Sequence, residues 1–190
     1  MQMIDDGKLA LFVMLGKTAS KALGEVPEVA HSEPLLISDT FDLSVILPES
    51  VKKANSASEG YRLFFVFENY LREFVVDVLT NSGKEAWWEK IPKDVKEEVE
   101  KNEDNEEQKG WMALGSRDKS ALLTYPQLLH IIEHCWNNHF KDIVRDKALI
   151  QEARHITHLR NTICHMTKIN SEEMGRLKQV MRDWYRMVSP

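Results

Sequence analysis

One short stretch of the sequence concentrates side chains that transfer protons and bind anions. It runs from His155 to His165 and contains three histidines together with Arg160, Asn161 and Cys164. A histidine gains and loses a proton near neutral pH, and a guanidinium binds an oxyanion through two parallel hydrogen bonds. The chemistry these residue types offer is therefore acid–base catalysis beside a bound anion.

The same stretch has the periodicity of an amphipathic helix. With about 100° per residue and Ile156 at zero, His158, Asn161 and His165 gather about 140° to 200° away from the apolar side. Arg160 falls at about 40°, beside the apolar stripe. The stripe itself consists of Leu149, Ala153, Ile156, Leu159 and Ile163.

A charge beside an apolar stripe needs a partner, because an unpaired buried charge is costly. Glu68 is the candidate, since it flanks the aromatic stripe of an earlier predicted helix and Arg72 follows it one turn later. Two interpretations of Arg160 remain open at this point. One is a structural ion pair with Glu68 and exposed histidines, and the other is a functional site.

A second pattern competes for chemistry. His130-Ile131-Ile132-Glu133-His134 reads H-x-x-E-H, the inverted zinc-peptidase motif, in which two histidines bind zinc and the glutamate is the base. Only 56 residues follow this motif, and Glu172 or Glu173 would have to supply the third ligand. Cys135 and Cys164 could instead join these histidines in a structural zinc site. We expect neither site and therefore no bound metal or cofactor.

The elements that must position these residues are predicted to be helices. Apolar residues spaced three and four apart, with caps and glycines between them, give helices over residues 4–23, 58–80, 122–140, 146–165 and 171–188. Residues 93–109 hold eight acidic residues and four lysines, which is typical of a solvated helix or a mobile insert. Residues 24–58 contain three prolines and lack helical periodicity, with a short hairpin or extended wrap over 35–47.

The fold class that follows is all-α, a helical bundle with an irregular N-terminal annex. We predict two parts, an annex with one helix at residues 1–57 and a helical domain at residues 58–190.

Composition limits the function classes. The chain has 190 residues and a net charge of −5, which argues against a dedicated DNA coat or a polybasic membrane binder. The charge is uneven: residues 1–139 carry a net −9, whereas residues 140–190 carry a net +4. Two cysteines suit a reducing compartment, and no segment reaches the ~20 apolar residues of a membrane span. We expect a cytoplasmic protein without membrane contact.

The sequence resembles the HEPN superfamily. Arg160-Asn161-x3-His165 is similar to its R-x4–6-H signature, including the polar residue that commonly follows the arginine. Upstream, Phe67-Glu68-x2-Leu71-Arg72 is followed by Trp87-Trp88 and then by Ile131-Ile132-x3-Trp136-x3-Phe140. Over about residues 58–188 this pattern resembles the HEPN branch found at the C-terminus of transcription-associated nuclear endoribonucleases and in bacterial relatives.

The resemblance implies a helical bundle that dimerises and shares its Arg-Asn-His helices in one cleft. It implies a metal-independent endoribonuclease that cuts single-stranded RNA through attack of the 2′-hydroxyl. His165 would act as general base or acid, and Arg160 would hold the phosphate. Asn161 would orient either His165 or the phosphate. Supporting or RNA-binding roles fall to Glu68, Arg72, His158 and Lys168.

A shared site also agrees with the helical wheel. About 140° separate Arg160 from His165 on one straight helix, so one helix does not place them on one narrow face. Two-fold symmetry can bring Arg160 of one chain near His165 of the other, and the alternative is that the helix unwinds near Cys164. Bacterial relatives imply a setting in phage defence or a toxin–antitoxin pair, with an antitoxin or defence-system partner. The alternative is a non-catalytic HEPN module for dimerisation or for binding RNA or nucleotide.

Overall fold

The computed structural model describes residues 13–18, 34–39, 41–108 and 118–188. The chain divides into two compact units, Met1–Asn55 and Ser56–Pro190. In the described part the structure is helical apart from one two-stranded ribbon, which confirms the predicted all-α class.

The first unit contains a helical segment α1 at residues 13–18 and a hairpin of β1 (Leu36–Ser38) with β2 (Phe41–Asp42). The strands are antiparallel, and the short helix α2 (Leu43–Ile46) follows. Asp42 joins the two, because its Oδ1 accepts hydrogen bonds from the backbone N–H groups of Leu35 and Ser44 at 3.1 and 2.8 Å. The hairpin confirms one of the two structures predicted for residues 35–47. Of the predicted helix 4–23, residues 13–18 are helical and the remainder lies outside the described residues.

Helix α3 (Pro48–Asn81) begins earlier than the sequence pattern indicated. The predicted start at residue 58 is wrong, because the helix begins at Pro48. Proline is favoured at the first helical position, since its φ is already helical and no N–H is left without a partner there. Glu49 follows in the first turn, where the helix dipole favours an acid. The turns that follow are mostly polar and exposed, so hydrophobic periodicity does not reveal them.

The second unit continues α3 with a series of shorter elements. They are α4 (Trp87–Lys90), α5 (Lys93–Glu107), a 3₁₀ turn (Lys119–Leu122), α6 (Tyr125–His134), a π-helical turn (Trp136–Phe140), α7 (Ala148–His155), α8 (Thr157–Cys164) and α9 (Ser171–Val188). Residues 93–107 thus form the solvated helix rather than the mobile insert. Trp87 and Trp88 pack half-buried at the edge of the core.

Two predicted helices are each broken in the structure. The helix expected over 122–140 ends at His134, and beyond Cys135 the backbone widens, with Lys141 N–H bonding Trp136 O at 2.8 Å. The indole N–H of Trp136 donates to Val144 O at 2.8 Å, which holds that turn. The helix expected over 146–165 breaks at Ile156, where Leu159 N–H bonds Ile156 O in a tighter i→i+3 turn.

The core forms where α3, α6, α8 and α9 bury their apolar faces. Phe67 of α3 is fully buried and packs edge-to-face on Trp184 of α9, with ring centroids 5.9 Å apart. Gly60 of α3 permits a close approach to α8, because a Cβ there would lie 2.9 Å from Cδ1 of Ile163. The α3 stripe that is buried comprises Phe64, Phe67, Leu71, Val75 and Leu79. This packing fixes α8 against α3.

Candidate functional site

Arg160 of α8 lies against α3 and is paired with Glu68. Its Nε donates to Oε2 of Glu68 at 3.2 Å and its Nη2 donates to Oε1 at 3.3 Å, a bidentate contact through one side edge of the guanidinium. The two side chains are 27% and 14% exposed. The predicted Arg160–Glu68 ion pair is therefore present. It occupies Nε and one N–H of Nη2, and Nη1 has no hydrogen-bond partner in the part of the chain that the structure describes.

The electrostatics keep Arg160 charged. Partial burial disfavours the cation, but the hydrogen bond and the negative charge of Glu68 outweigh it and raise the pKa of Arg160 above its ordinary value. The guanidinium therefore remains a cation over the physiological pH range and offers its second edge to an anion.

Arg72 shares the same carboxylate, with its Nη2 at 3.5 Å from Oε1 of Glu68. Its other donors are taken up by the protein: Nε donates to Ser120 O at 2.8 Å, Nη2 to Leu123 O at 3.1 Å, and Nη1 to Oδ1 of Asn69. Arg72 thereby anchors the 3₁₀ turn to α3. Its side chain contributes positive charge to the site and leaves few donors for a ligand.

A cleft of about 280 Å³ opens beside these residues. Glu68, Arg72 and Arg160 line it, and Cys164 of α8 borders it. On its α3 side lie Tyr61, Phe65 and Asn69, which sequence reasoning did not select. The signal available was the i, i+4 spacing of Tyr61 and Phe65 outside the predicted core stripe.

His165 and Asn161 lie on the outer side of α8. Both are exposed, and neither lines the cleft. His165 caps the end of α8, and its backbone N–H bonds Asn161 O at 3.0 Å. The wheel prediction that Asn161 and His165 face away from the apolar stripe agrees with this exposure.

The turn after His165 is a Schellman motif. Thr167 N–H bonds Thr162 O at 3.2 Å and Met166 N–H bonds Ile163 O at 2.9 Å. Met166 adopts φ 58°, the left-handed conformation that glycine usually supplies, and its side chain is 92% exposed. The backbone of His165 is thus fixed while its ring faces solvent.

The other proposed supporting residues lie apart from the cleft. His158 is exposed, its Nδ1 lies 2.7 Å from His155 O, and its Nε2 lies 3.9 Å from Oε2 of Glu173. It borders a larger groove between α7 and α9, of about 820 Å³. Lys168 is exposed in the loop before α9.

The residues of the H-x-x-E-H motif are engaged separately. Nε2 of His130 lies 3.2 Å from Oδ2 of Asp94, while Glu133 pairs with Arg154. Cys135 is buried with its Sγ 3.4 Å from Lys90 O, and Cys164 is exposed. Within the described ranges, no group of three or more His, Cys, Asp or Glu side chains is placed to hold a metal ion.

A helical bundle in which a late helix presents Arg160, Asn161 and His165 in the order R-N-x3-H is the arrangement of a HEPN domain. The family model described as Swt1-like HEPN matches residues 62–189, well over half of the chain. The chain belongs to this family. No curated protein and no solved structure gives a significant match to it.

Membership in the HEPN superfamily bears on function at a coarse level. HEPN domains are often ribonucleases, and they often dimerise and bind RNA. Among the helices of the described ranges, none is both long and apolar enough to cross a bilayer.

Proposed function

We propose that this chain is a metal-independent endoribonuclease that cleaves single-stranded RNA at a site shared between two protomers. The observation that carries the proposal is the state of Arg160. Glu68 holds the guanidinium by one edge, which fixes its orientation, while Nη1 and the adjoining edge stay available at the cleft. A phosphate oxygen pair fits such an edge in the same bidentate manner as a carboxylate.

The reaction needs few groups. A base removes the proton of the RNA 2′-hydroxyl as its oxygen attacks the adjacent phosphorus, and an acid protonates the departing 5′-oxygen. The phosphorane between these steps carries added negative charge, which a preorganised guanidinium stabilises. We assign one of the two proton transfers to His165, as general base or acid, with water exchanging the other proton. Charge stabilisation is assigned to Arg160, and orientation of the phosphate or of His165 to Asn161. The products are a 2′,3′-cyclic phosphate and a 5′-hydroxyl.

The placement of the residues supports a dimeric site. Arg160 faces the cleft beside α3, whereas Asn161 and His165 are exposed on the outer side of α8. In the proposed dimer, two-fold symmetry about α8 would bring an exposed His165 of one protomer to the Arg160 cleft of the other. A second copy of the chain is therefore the partner we propose. His158 and Lys168 are both exposed, on α8 and in the loop that follows it. We propose them as supporting contacts to the RNA backbone.

The test is cleavage of labelled single-stranded RNA in the presence of EDTA. Wild type is expected to leave cyclic phosphate ends, and Arg160→Ala, Asn161→Ala and His165→Ala are expected to lose activity. His155→Ala is the matched control, because His155 is also an exposed histidine at a helix end and lies outside the cleft. RNA with 2′-deoxy sugars should resist cleavage. Equal background cleavage by wild type and variants would show that the protein is not this enzyme.

A second candidate is a non-catalytic HEPN module that dimerises and binds RNA or nucleotide. The observation that favours it is that Arg160 is already paired with Glu68 and that His165 does not line the cleft of its own chain. A dimer that binds single-stranded RNA tightly and leaves it intact at high protein concentration would establish this alternative.

The biological setting we propose is restriction of growth, in phage defence or a toxin–antitoxin pair. Its support is the ribonuclease activity proposed above, since cleavage of cellular RNA stops growth. Induced expression is expected to slow growth for wild type and not for His165→Ala at equal protein level. Equal growth of both strains would contradict the proposed role in growth restriction.

A further inference from the structure

Two aromatic side chains stand exposed at the edge of the Arg160 cleft. Tyr61 and Phe65 are 58% and 57% exposed, although their rings contact each other with centroids 6.0 Å apart and planes inclined by 34°. Both line the cleft. They lie one turn apart on α3, so their rings form a continuous apolar surface that faces solvent.

The rest of the cleft is positively charged and offers hydrogen bonds. Arg72 and Arg160 bring two positive charges and Glu68 brings one negative charge. Nη1 of Arg160 has no hydrogen-bond partner in the described part of the chain. An anion is therefore favoured here, and the aromatic surface next to it favours a flat apolar group.

A nucleotide carries both features in one molecule. Its base stacks on an aromatic ring, a contact that contributes to binding whatever the base, and its phosphate binds a guanidinium. An unpaired base exposes its flat faces, whereas a base in a duplex is stacked between its neighbours. A cleft of about 280 Å³ is close to the lower end of the range for small-molecule sites, which is large enough for one flipped-out base and far too small for a helix.

We propose that Tyr61 and Phe65 form a base-stacking subsite that takes one unpaired RNA base while Arg160 holds a neighbouring phosphate. The inference rests on the proposed function in taking RNA as the ligand, and it adds the selection of single strands without selection of a particular base. A second copy of the chain is the competing occupant of the same aromatic surface, and the experiment separates the two.

The experiment measures RNA binding in the His165→Ala protein, so that cleavage does not consume the probe. The probe is a fluorescein-labelled single-stranded RNA of mixed sequence, followed by anisotropy at low salt. Adding Phe65→Ala or Tyr61→Ala is expected to weaken binding by about 5- to 150-fold, the range of one base–aromatic stack. Phe65→Trp is expected to retain binding, because it keeps a ring at that position. Val66→Ala is the matched control, since Val66 is an equally exposed apolar neighbour outside the cleft.

A second measurement identifies stacking. A set of RNAs, each with one abasic position, is bound to the parent and to its Phe65→Ala form. One abasic position is expected to weaken binding to the parent and to leave binding to the Phe65→Ala form unchanged, because the contact it removes is already absent. If the parent binds all the abasic RNAs with equal affinity, the proposed stacking subsite is wrong. It is also wrong if the parent binds no RNA.

The oligomeric state of each variant is measured by light scattering. If Phe65→Ala dissociates a dimer and the loss of RNA binding follows that dissociation, the aromatic pair belongs to a protein interface and the proposal is wrong. The binding readout is independent of the cleavage assay: a wild-type protein that cuts no RNA but shows the abasic effect retains the subsite without the enzyme. Circular dichroism is expected to be unchanged, since both rings are largely exposed.

Discussion

Glu68 and Arg160 lie 92 residues apart in the sequence, and their side chains meet in a bidentate ion pair with Nε–Oε2 at 3.2 Å. The same carboxylate lies 3.5 Å from Arg72, which in turn holds the 3₁₀ turn through two backbone carbonyls. One half-buried acid therefore connects α3, α8 and the 118–123 segment.

Removal of Glu68 is expected to destabilise the fold. Glu68→Ala leaves two largely buried guanidiniums without their carboxylate, which costs about 1–3 kcal/mol in the free energy of unfolding. Glu68→Gln keeps the shape and is expected to cost less. Urea denaturation followed by circular dichroism measures both. Glu73→Ala, an exposed acid on the same helix, is the control and should stay within about 0.5 kcal/mol of wild type.

A site shared between protomers predicts complementation. Arg160→Ala and His165→Ala are each expected to be inactive alone, whereas mixed dimers carry one site with both wild-type residues. An equimolar mixture that exchanges subunits freely is then expected to recover about a quarter of the wild-type rate, because half of the dimers are mixed and each has one intact site.

The cleavage assay on unmixed and mixed proteins measures this recovery, and a covalently linked dimer of the two variants removes the dependence on exchange. Joining two copies of Arg160→Ala gives the matched control, which should stay inactive. If the linked mixed dimer is inactive as well, Arg160 and His165 act within one chain.

The buried hydroxyl of Tyr125 is expected to contribute to stability. It donates to Ala153 O at 2.7 Å across α6 and α7, and the residue is fully buried. Tyr125→Phe leaves that carbonyl without its donor and is expected to lower the free energy of unfolding by about 1–2 kcal/mol. Chemical denaturation at neutral pH measures the loss. Tyr61→Phe removes an exposed hydroxyl instead and should leave stability unchanged.

The same tyrosine predicts a pH dependence. Burial, aided by the charge of Glu68, raises the pKa of Tyr125 well above its ordinary value. A tyrosine in the unfolded chain ionises near pH 10 while the folded form keeps its proton, so stability is full below about pH 10 and falls as the pH rises further. Burial raises the pKa of Tyr70 and Tyr185 in the same direction. Unfolding curves at rising pH are expected to show a shallower decline for Tyr125→Phe; an identical slope would contradict this origin.

The left-handed residue after His165 predicts a stabilising substitution. Met166 has φ 58°, and glycine adopts this conformation without the clash that a Cβ causes. Met166→Gly is expected to raise the free energy of unfolding by about 0.5–1 kcal/mol, and Met166→Ala is expected to change it little. Thermal denaturation measures both. A destabilised glycine variant would show that the exposed methionine side chain makes a contact that the turn needs.

Periodicity and charge were sufficient to predict much of the candidate site. The wheel angle of Arg160 predicted a need for a carboxylate, and Glu68 was the candidate because it flanks the aromatic stripe of an earlier helix. The exposure of Asn161 and His165 followed from the same angles. These predictions succeeded because burial of an apolar stripe fixes the rotation of a helix.

Other features have no periodic signal. The breaks at Cys135 and Ile156 fall inside runs whose apolar spacing continues, so no pattern in the sequence reveals them. The first turns of α3 after Pro48 are mostly polar and exposed, and Val51 alone among them is a buried apolar residue, so they give no stripe. Tyr61 and Phe65 were missed for another reason: aromatic residues usually belong to a core, so their i, i+4 spacing outside the predicted core stripe does not by itself indicate an exposed pair.

The double engagement of Glu68 has an evolutionary consequence. A substitution at this position changes the anchoring of the 3₁₀ turn and the charge of the cleft together, so a lineage that alters the site there also alters the stability of the fold. Substitutions at Asn161 and His165 do not couple the site to fold stability in this way, because both residues are exposed at the surface. On the proposed function, a substitution at either of these two positions removes catalysis and leaves the fold intact, which provides a short mutational route from an RNA-cutting domain to one that only binds RNA.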